Sequence, residues 1–197
     1  RVLELADERQ EVVLEGVEEE PAFASLNRGG SFYGLLERPD AALAELARQA
    51  RLDPDLFNRV EAARALTDRE RVRLMTGQAQ APDPGWLELW GGLLAQEAPP
   101  GVKSYLLRIE EQPLDRRYIA WYREMVEAHE TLKAAANRAF RRPLVEQFRG
   151  LDTYGPRSGP ADGIEERQLK NVLLALVAAD DSPESHGLIL EHLERAT

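Results

Sequence analysis

Ser31-Phe32-Tyr33-Gly34-Leu35-Leu36-Glu37, then Arg38-Pro39-Asp40, then Ala41-Ala42-Leu43-Ala44-Glu45-Leu46: across these residues the hydrophobic period of the chain changes. Before Arg38 apolar residues alternate as in a sheet, here and in Gln10-Glu11-Val12-Val13-Leu14-Glu15. From Asp40 to Thr197 nearly everything repeats at helical spacing. The pattern predicts strands over 2–5, 9–15 and 31–36, with Asn27-Arg28-Gly29-Gly30 as a turn before the third. The expected fold is therefore mainly α: an irregular α-solenoid of antiparallel helix pairs, preceded by a few β-strands from a truncated β-sandwich. No strict repeat period is visible. The division falls at 1–38 for the β part and 39–197 for the helical part.

Within the helical part, Asp40 is placed to cap a helix over 41–51. Asp53-Pro54 is placed to open a second, with Asp53 as cap, Pro54 at the first position and Leu56, Phe57, Val60 and Ala63 as its buried stripe. A third covers 67–76 and stops at Gly77. After the linker 78–85 come helices over 85–97 and 101–110, separated by Pro99-Pro100-Gly101. The longest is expected over 114–141, roughly 40 Å at 1.5 Å per residue. Pro143 bends or interrupts it, and Val145 to Phe148 extend it. A Gly/Pro-rich loop over 150–163 leads to helices over 164–179 and 183–195.

Composition excludes several functions. The chain has 197 residues, 43% hydrophobic and 30% charged, enough for a real core. Its 25 basic against 35 acidic residues give a net charge of −10. That disfavours nucleic acid and anionic membrane as partners, since both call for basic surface. No apolar run reaches the roughly 20 residues of a membrane span, and no signal peptide is visible. The absence of cysteine fits a reducing cytosol, so the expected location is cytoplasmic. Arg1 is followed at once by a strand-like Val2-Leu3-Glu4-Leu5, and the helix 187–195 runs into the terminus without a stop signal. The expectation is a piece of a larger protein.

Several stretches imitate chemistry. His129-Glu130-Thr131-Leu132-Lys133 begins like the zinc-protease signature H-E-x-x-H, but Lys133 stands at the second ligand position, where an ammonium repels the metal. Asp180, Asp181, Glu184 and His186 could be drawn as a cation site. Ser182-Pro183-Glu184 reads more simply as a helix start. Gly150-Leu151-Asp152-Thr153-Tyr154-Gly155 opens like a phosphate loop, yet Pro156-Arg157 replaces the Lys-Ser/Thr that must follow. Arg64, Arg69, Arg71 and Arg73 interleave with Glu61, Asp68 and Glu70 and read as a solvated, salt-bridged face. Trp86, Trp90 and Leu93, and Tyr118, Trp121 and Met125, read as core stripes, with a peptide groove as the alternative. No residue is assigned as catalytic, metal-binding or cofactor-binding.

The order of elements resembles a family. Glu11-Val12-Val13-Leu14-Glu15-Gly16-Val17, Pro21-Ala22-Phe23-Ala24-Ser25-Leu26-Asn27-Arg28-Gly29 and Asp55-Leu56-Phe57-Asn58-Arg59-Val60-Glu61-Ala62 follow one another. They resemble the junction between the small β-sandwich and the C-terminal helical domain of bacterial aminopeptidase N, a zinc metallo-aminopeptidase. The last piece is similar to the family's D-x-F-x-R-W-x-A helix, with Val60 in place of tryptophan. Arg167-Gln168-Leu169-Lys170-Asn171 resembles its R-x-L-[KR]-N helix start.

The resemblance implies a catalytic domain upstream in the same polypeptide, holding the zinc, the base and the amine-binding strand. There zinc would activate water and polarise the scissile carbonyl. The helical domain would enclose the active site and limit entry of peptide substrates. The expectation is a non-catalytic fragment, inactive alone, with no cofactor of its own and zinc only in the parent hydrolase. An independent helical scaffold that binds a protein or peptide partner is the alternative.

Overall fold

Asp55, Pro84 and Pro100 each stand where a helix must begin, and the structure, a computed structural model, starts helices beside or upon them. It describes residues 7–13, 15–31, 38, 40–151, 153, 159 and 161–196. Among the described residues the chain runs through α1 (Leu43–Leu52), α2 (Leu56–Met75), α3 (Pro84–Ala95), α4 (Pro100–Leu107), α5 (Tyr122–Gly150), α6 (Ile164–Val177) and α7 (Pro183–Ala196). Short 3-10 turns lie at Arg116–Tyr118 and Ala178–Asp180.

The array is layered helix on helix. α1 packs on α2, α2 reaches α4 and α5, α3 lies against α4 and α5, and α6 lies against α4 and α5. Leu46 and Ala50, Leu66, Trp90 and Leu94, Leu107, Leu132, Leu144 and Leu173 meet in one continuous core. Each buried leucine contributes about 1.5–3 kcal/mol over exposure. The stripe of Trp86, Trp90 and Leu93 is core, as expected, and Trp86 Nε1 donates to Thr67 Oγ1 at 3.2 Å. Of the second stripe only Met125 is fully buried, packed with Met75 and Ala128, while the Tyr118 and Trp121 rings meet edge to face at 5.6 Å.

Several expectations are corrected. Residues 9–13 and 15 form no strand, and Val13 is 77% exposed. A strand needs a ladder with a neighbouring strand for its N–H and C=O groups, and no ladder forms among the described residues. The other two expected strands, over 2–5 and 31–36, fall outside the described residues except for Ser31, which is irregular. Asp40 caps nothing, since α1 starts after Ala42 without a side-chain bond. Asp55, not Asp53, caps α2, accepting from the Asn58 N–H at 3.1 Å. Asp53 accepts from the Asp55 N–H at 2.9 Å instead, so Pro54 precedes the helix. The expected separate helix over 67–76 is the second half of α2. Thr67 and Asp68 do not break it because Trp86 and Arg71 occupy their side chains.

α5 begins eight residues later than expected and ends at Gly150, two residues past the expected extension through Phe148. After Pro113, Asp115 accepts from the Arg117 N–H at 2.9 Å and folds 116–118 into a 3-10 turn that replaces the helix start. Pro143 does bend α5: it has no N–H for the carbonyl four residues back and its ring crowds it. The distortion appears at Phe140 (φ −128°, ψ 25°), which places the Phe140 ring 5.9 Å from that of Trp90.

Candidate functional site

The N-terminal segment from Phe23 to Gly30 meets the helices through side chains rather than through a sheet. Gln49 and Asp53 near the end of α1, with Asp55 and Asn58 at the start of α2, converge on it. Ser25 Oγ donates to Asp53 Oδ1 at 2.9 Å, and the Gly29 N–H donates to Asp55 Oδ2 at 2.8 Å. Asn58 Nδ2 donates to the Leu26 carbonyl at 2.8 Å and to Ser25 Oγ at 3.1 Å. Arg38 pairs with Glu45 and donates to the Ala24 carbonyl and to Gln49 Oε1. The Arg38 hydrogen bond holds the Glu45 carboxyl below its usual range, and the Gly29 N–H does the same for Asp55. Gly29 and Gly30 both take positive φ, which lets the backbone turn toward the helices.

A second pattern runs through the whole array. Helix C-termini present unpaired carbonyls, and here side chains from neighbouring helices meet them. Arg59 donates to the Ala50 carbonyl of α1, and Gln96 to that of Arg51. Gln147 donates to the Leu94 carbonyl of α3 at 2.9 Å. Lys170 donates to Leu151, the C-cap of α5, at 2.5 Å and lies over the Phe148 ring. Asn137, Arg141 and Ser185 all donate to the Val177 carbonyl at the end of α6. Arg59 and Lys170 belong to two of the four sequence pieces that carry the family resemblance, and both act as helix-to-helix ties.

The stretches that imitate chemistry are built into this framework. His129 is buried, its Nε2 3.1 Å from the Glu111 carbonyl, and burial pulls its pKa below the ordinary value, aided by the charge of Arg71. Lys133 Nζ lies 2.5 Å from Glu110 and 2.8 Å from Glu130. Burial opposes the Lys133 charge, but the bonds to Glu110 and Glu130 outweigh it and raise its pKa. These donors do not fit zinc: one ring nitrogen is committed to a carbonyl, and an ion-paired ammonium fills the second ligand position.

Asp180 and Glu184 share Arg141, at 3.4 and 3.3 Å, and His186 meets Asp181 at 2.7 Å. Ser182 Oγ accepts from the Ser185 N–H at 3.2 Å, so the helix-start reading describes this cluster. Of the loop that opens like a phosphate site, Asp152, Tyr154 and Gly155 lie outside the described residues.

The arginine run is salt-bridged, as expected, but it is not uniformly solvated. Arg71 is 1% exposed, with Nη1 2.7 Å from Asp68 Oδ1 and Nη2 2.7 Å from the Ile109 carbonyl. Arg64 reaches Glu111 at 2.5 Å, Arg69 donates to the Ala41 carbonyl at 2.8 Å, and Arg73 donates to Glu70 at 2.6 Å. Nor are Leu56 and Phe57 a buried stripe. Phe57 is 66% exposed and, with Leu52 and Leu56, leaves an apolar rim at the α1–α2 turn. Leu114, Ile119, Trp121 and Tyr122 are likewise exposed ahead of and at the start of α5.

The fold is thus an α-solenoid whose helices are tied end to side by polar side chains. A family model described as "Domain of unknown function (DUF3458_C) ARM repeats" matches residues 43–197, and the chain belongs to that family. Among solved structures, Legionella pneumophila aminopeptidase A in complex with aspartic acid shares the fold, with a TM-score of 0.63 at 15% identity. The match covers 81% of this chain and 20% of that one, so the chain spans about a fifth of that relative's length. Among curated proteins none matches. No helix in the described residues is long and apolar enough to cross a membrane.

Proposed function

We propose that this chain is the accessory, non-catalytic part of a zinc-dependent aminopeptidase, carried in one polypeptide with the catalytic domain. Residues 1–38 are assigned to the end of a β-sandwich domain and 39–197 to the helical domain that follows. The helical domain packs against the catalytic domain, encloses its active site and limits which peptides enter. Zinc and the general base belong to the parent's catalytic domain, and no residue of this chain is assigned to them.

The observation that carries this reading is the docking of Phe23–Gly30 onto the start of α2. The segment that resembles the family's interdomain junction is bonded to the helix that resembles its D-x-F-x-R element, through Asp55 and Asn58 of that helix. The exposed apolar rim at Leu52, Leu56 and Phe57 suits a surface that another domain covers. The test is zinc content and turnover on a panel of amino-acid arylamides, first for this chain and then for the polypeptide with its upstream sequence. The chain alone should hold no stoichiometric zinc and show no turnover, while the longer polypeptide does both. Chelator-sensitive turnover by the chain alone overturns the proposal. A longer polypeptide without H-E-x-x-H or turnover leaves the independent scaffold in its place.

A further inference from the structure

Nearly every internal amide side chain in the array is committed to a helix end or to the junction: Gln49, Asn58, Gln96, Asn137 and Gln147 all donate to backbone carbonyls. Gln168, half-buried, and Asn171, exposed at the cavity's edge, are different. They stand three residues apart on one face of α6 and form no side-chain hydrogen bond among the described residues. Both line a cavity of about 360 Å³ between α4, α5 and α6, within the ~300–1,000 Å³ range of ligand sites.

Arg108, just past the end of α4, lines the same cavity. Its guanidinium is stacked on the Tyr105 ring at 4.7 Å and comes no closer than 4.0 Å to a carboxylate, that of Glu111. Lys133 and Glu110 also face the space, but Lys133 is held by Glu110 at 2.5 Å and by Glu130 at 2.8 Å. The floor is apolar and includes Ile109 and Leu176, both buried. In a chain of net charge −10, this cavity therefore offers a stacked guanidinium with only a distant carboxylate partner, two amides without a side-chain hydrogen bond among the described residues, and an apolar base.

We propose that this cavity binds the carboxylate end of a short peptide. A guanidinium presents a planar pair of donors that match a carboxylate. Amide side chains both donate and accept, which suits the N–H and C=O of the last peptide groups. The apolar floor receives the final side chain. Inorganic phosphate matches the site less well, because it leaves the apolar floor unused. The proposal goes beyond the accessory-domain reading, and because its test uses this chain alone, the two fail independently.

The test is an NMR titration of the full chain, following backbone amide shifts, with N-acetyl-alanyl-leucine, its C-terminal amide and inorganic phosphate. The free acid should shift the amides around Gln168 to Ala175 and bind roughly tenfold more tightly than the amide form, the usual scale of a charge-assisted bond. Arg108→Gln should abolish that preference, and Asn171→Ala should weaken binding about fivefold. Neither side chain belongs to the core, so helical circular dichroism should be unchanged in both variants. Equal binding of acid and amide, an unaltered preference in Arg108→Gln, or phosphate binding as tightly as the peptide acid overturns the proposal.

Discussion

Arg71 keeps a full charge at 1% exposure because its two terminal nitrogens end on Asp68 and on the Ile109 carbonyl. Burial pushes the Asp68 carboxyl up and the Arg71 guanidinium down, and their mutual attraction opposes both shifts. Removing one partner strands the other, so Arg71→Met should cost about 3–5 kcal/mol in denaturant unfolding. Arg71→Lys should recover only part of it, because a single ammonium cannot span both acceptors. Lys170→Met tests a helix-end tie: it leaves the Leu151 carbonyl without its donor and should cost about 1–3 kcal/mol.

The buried histidine sets a pH dependence of definite sign. The His129 pKa lies below the ordinary 6.5 because of burial first and Arg71 second. Below about pH 6.5 the unfolded chain therefore binds protons that the folded chain does not. Stability is full above that pH and declines as the pH falls toward the folded value. Glu110, Glu111 and Lys133 share its surroundings, and His192, also lowered by burial, adds a slope of the same sign. Unfolding free energy measured from pH 8 to 6 should fall, less steeply in His129→Gln and not at all in the His129→Gln/His192→Gln pair. An unchanged slope in both variants would exclude this origin.

At the scale of elements, the bend in α5 and the glycine in α3 are one feature. A Cβ on Gly91 would overlap the Phe140 ring, which the bend three residues before Pro143 has pressed against α3. Gly91→Ala should therefore destabilise by about 1–3 kcal/mol despite alanine's better helix propensity, as thermal unfolding would show. Helix positions were largely legible in the sequence because Pro84, Pro100 and Pro183 sit at helix starts and Gly77 follows a helix end. What was not legible had local competitors. Asp53 and Asp55 are equally good caps by type, and only the bond from Asn58 distinguishes them. The start of α5 was misread because Leu114 to Trp121 carries helical periodicity, while Asp115 spends its side chain on a tighter turn.

For the whole molecule, the helical class follows from the period change near Arg38, but the junction clamp does not. Its partners lie 26–33 residues apart across the break in pattern, and serine, asparagine and aspartate there look like ordinary loop residues. Arg71 escaped for the opposite reason: a charged run on a helix reads as surface until tertiary contacts bury it. The exposed Leu52, Leu56 and Phe57 give the isolated chain an adhesive rim. Sedimentation should show concentration-dependent association that Phe57→Ser reduces without lowering the melting temperature.

The clamp has one more consequence, a mechanical one. A pull applied upstream of Ala24 enters the helices at Gln49, Asp53, Asp55 and Asn58, because side-chain bonds seize the segment there before the covalent path reaches Leu43. Those bonds must open before the covalent path carries the load. The α1–α2 turn is thus an anchorage, and tension arriving from a preceding domain would tilt the first helical pair as a unit instead of unravelling α1 from its end.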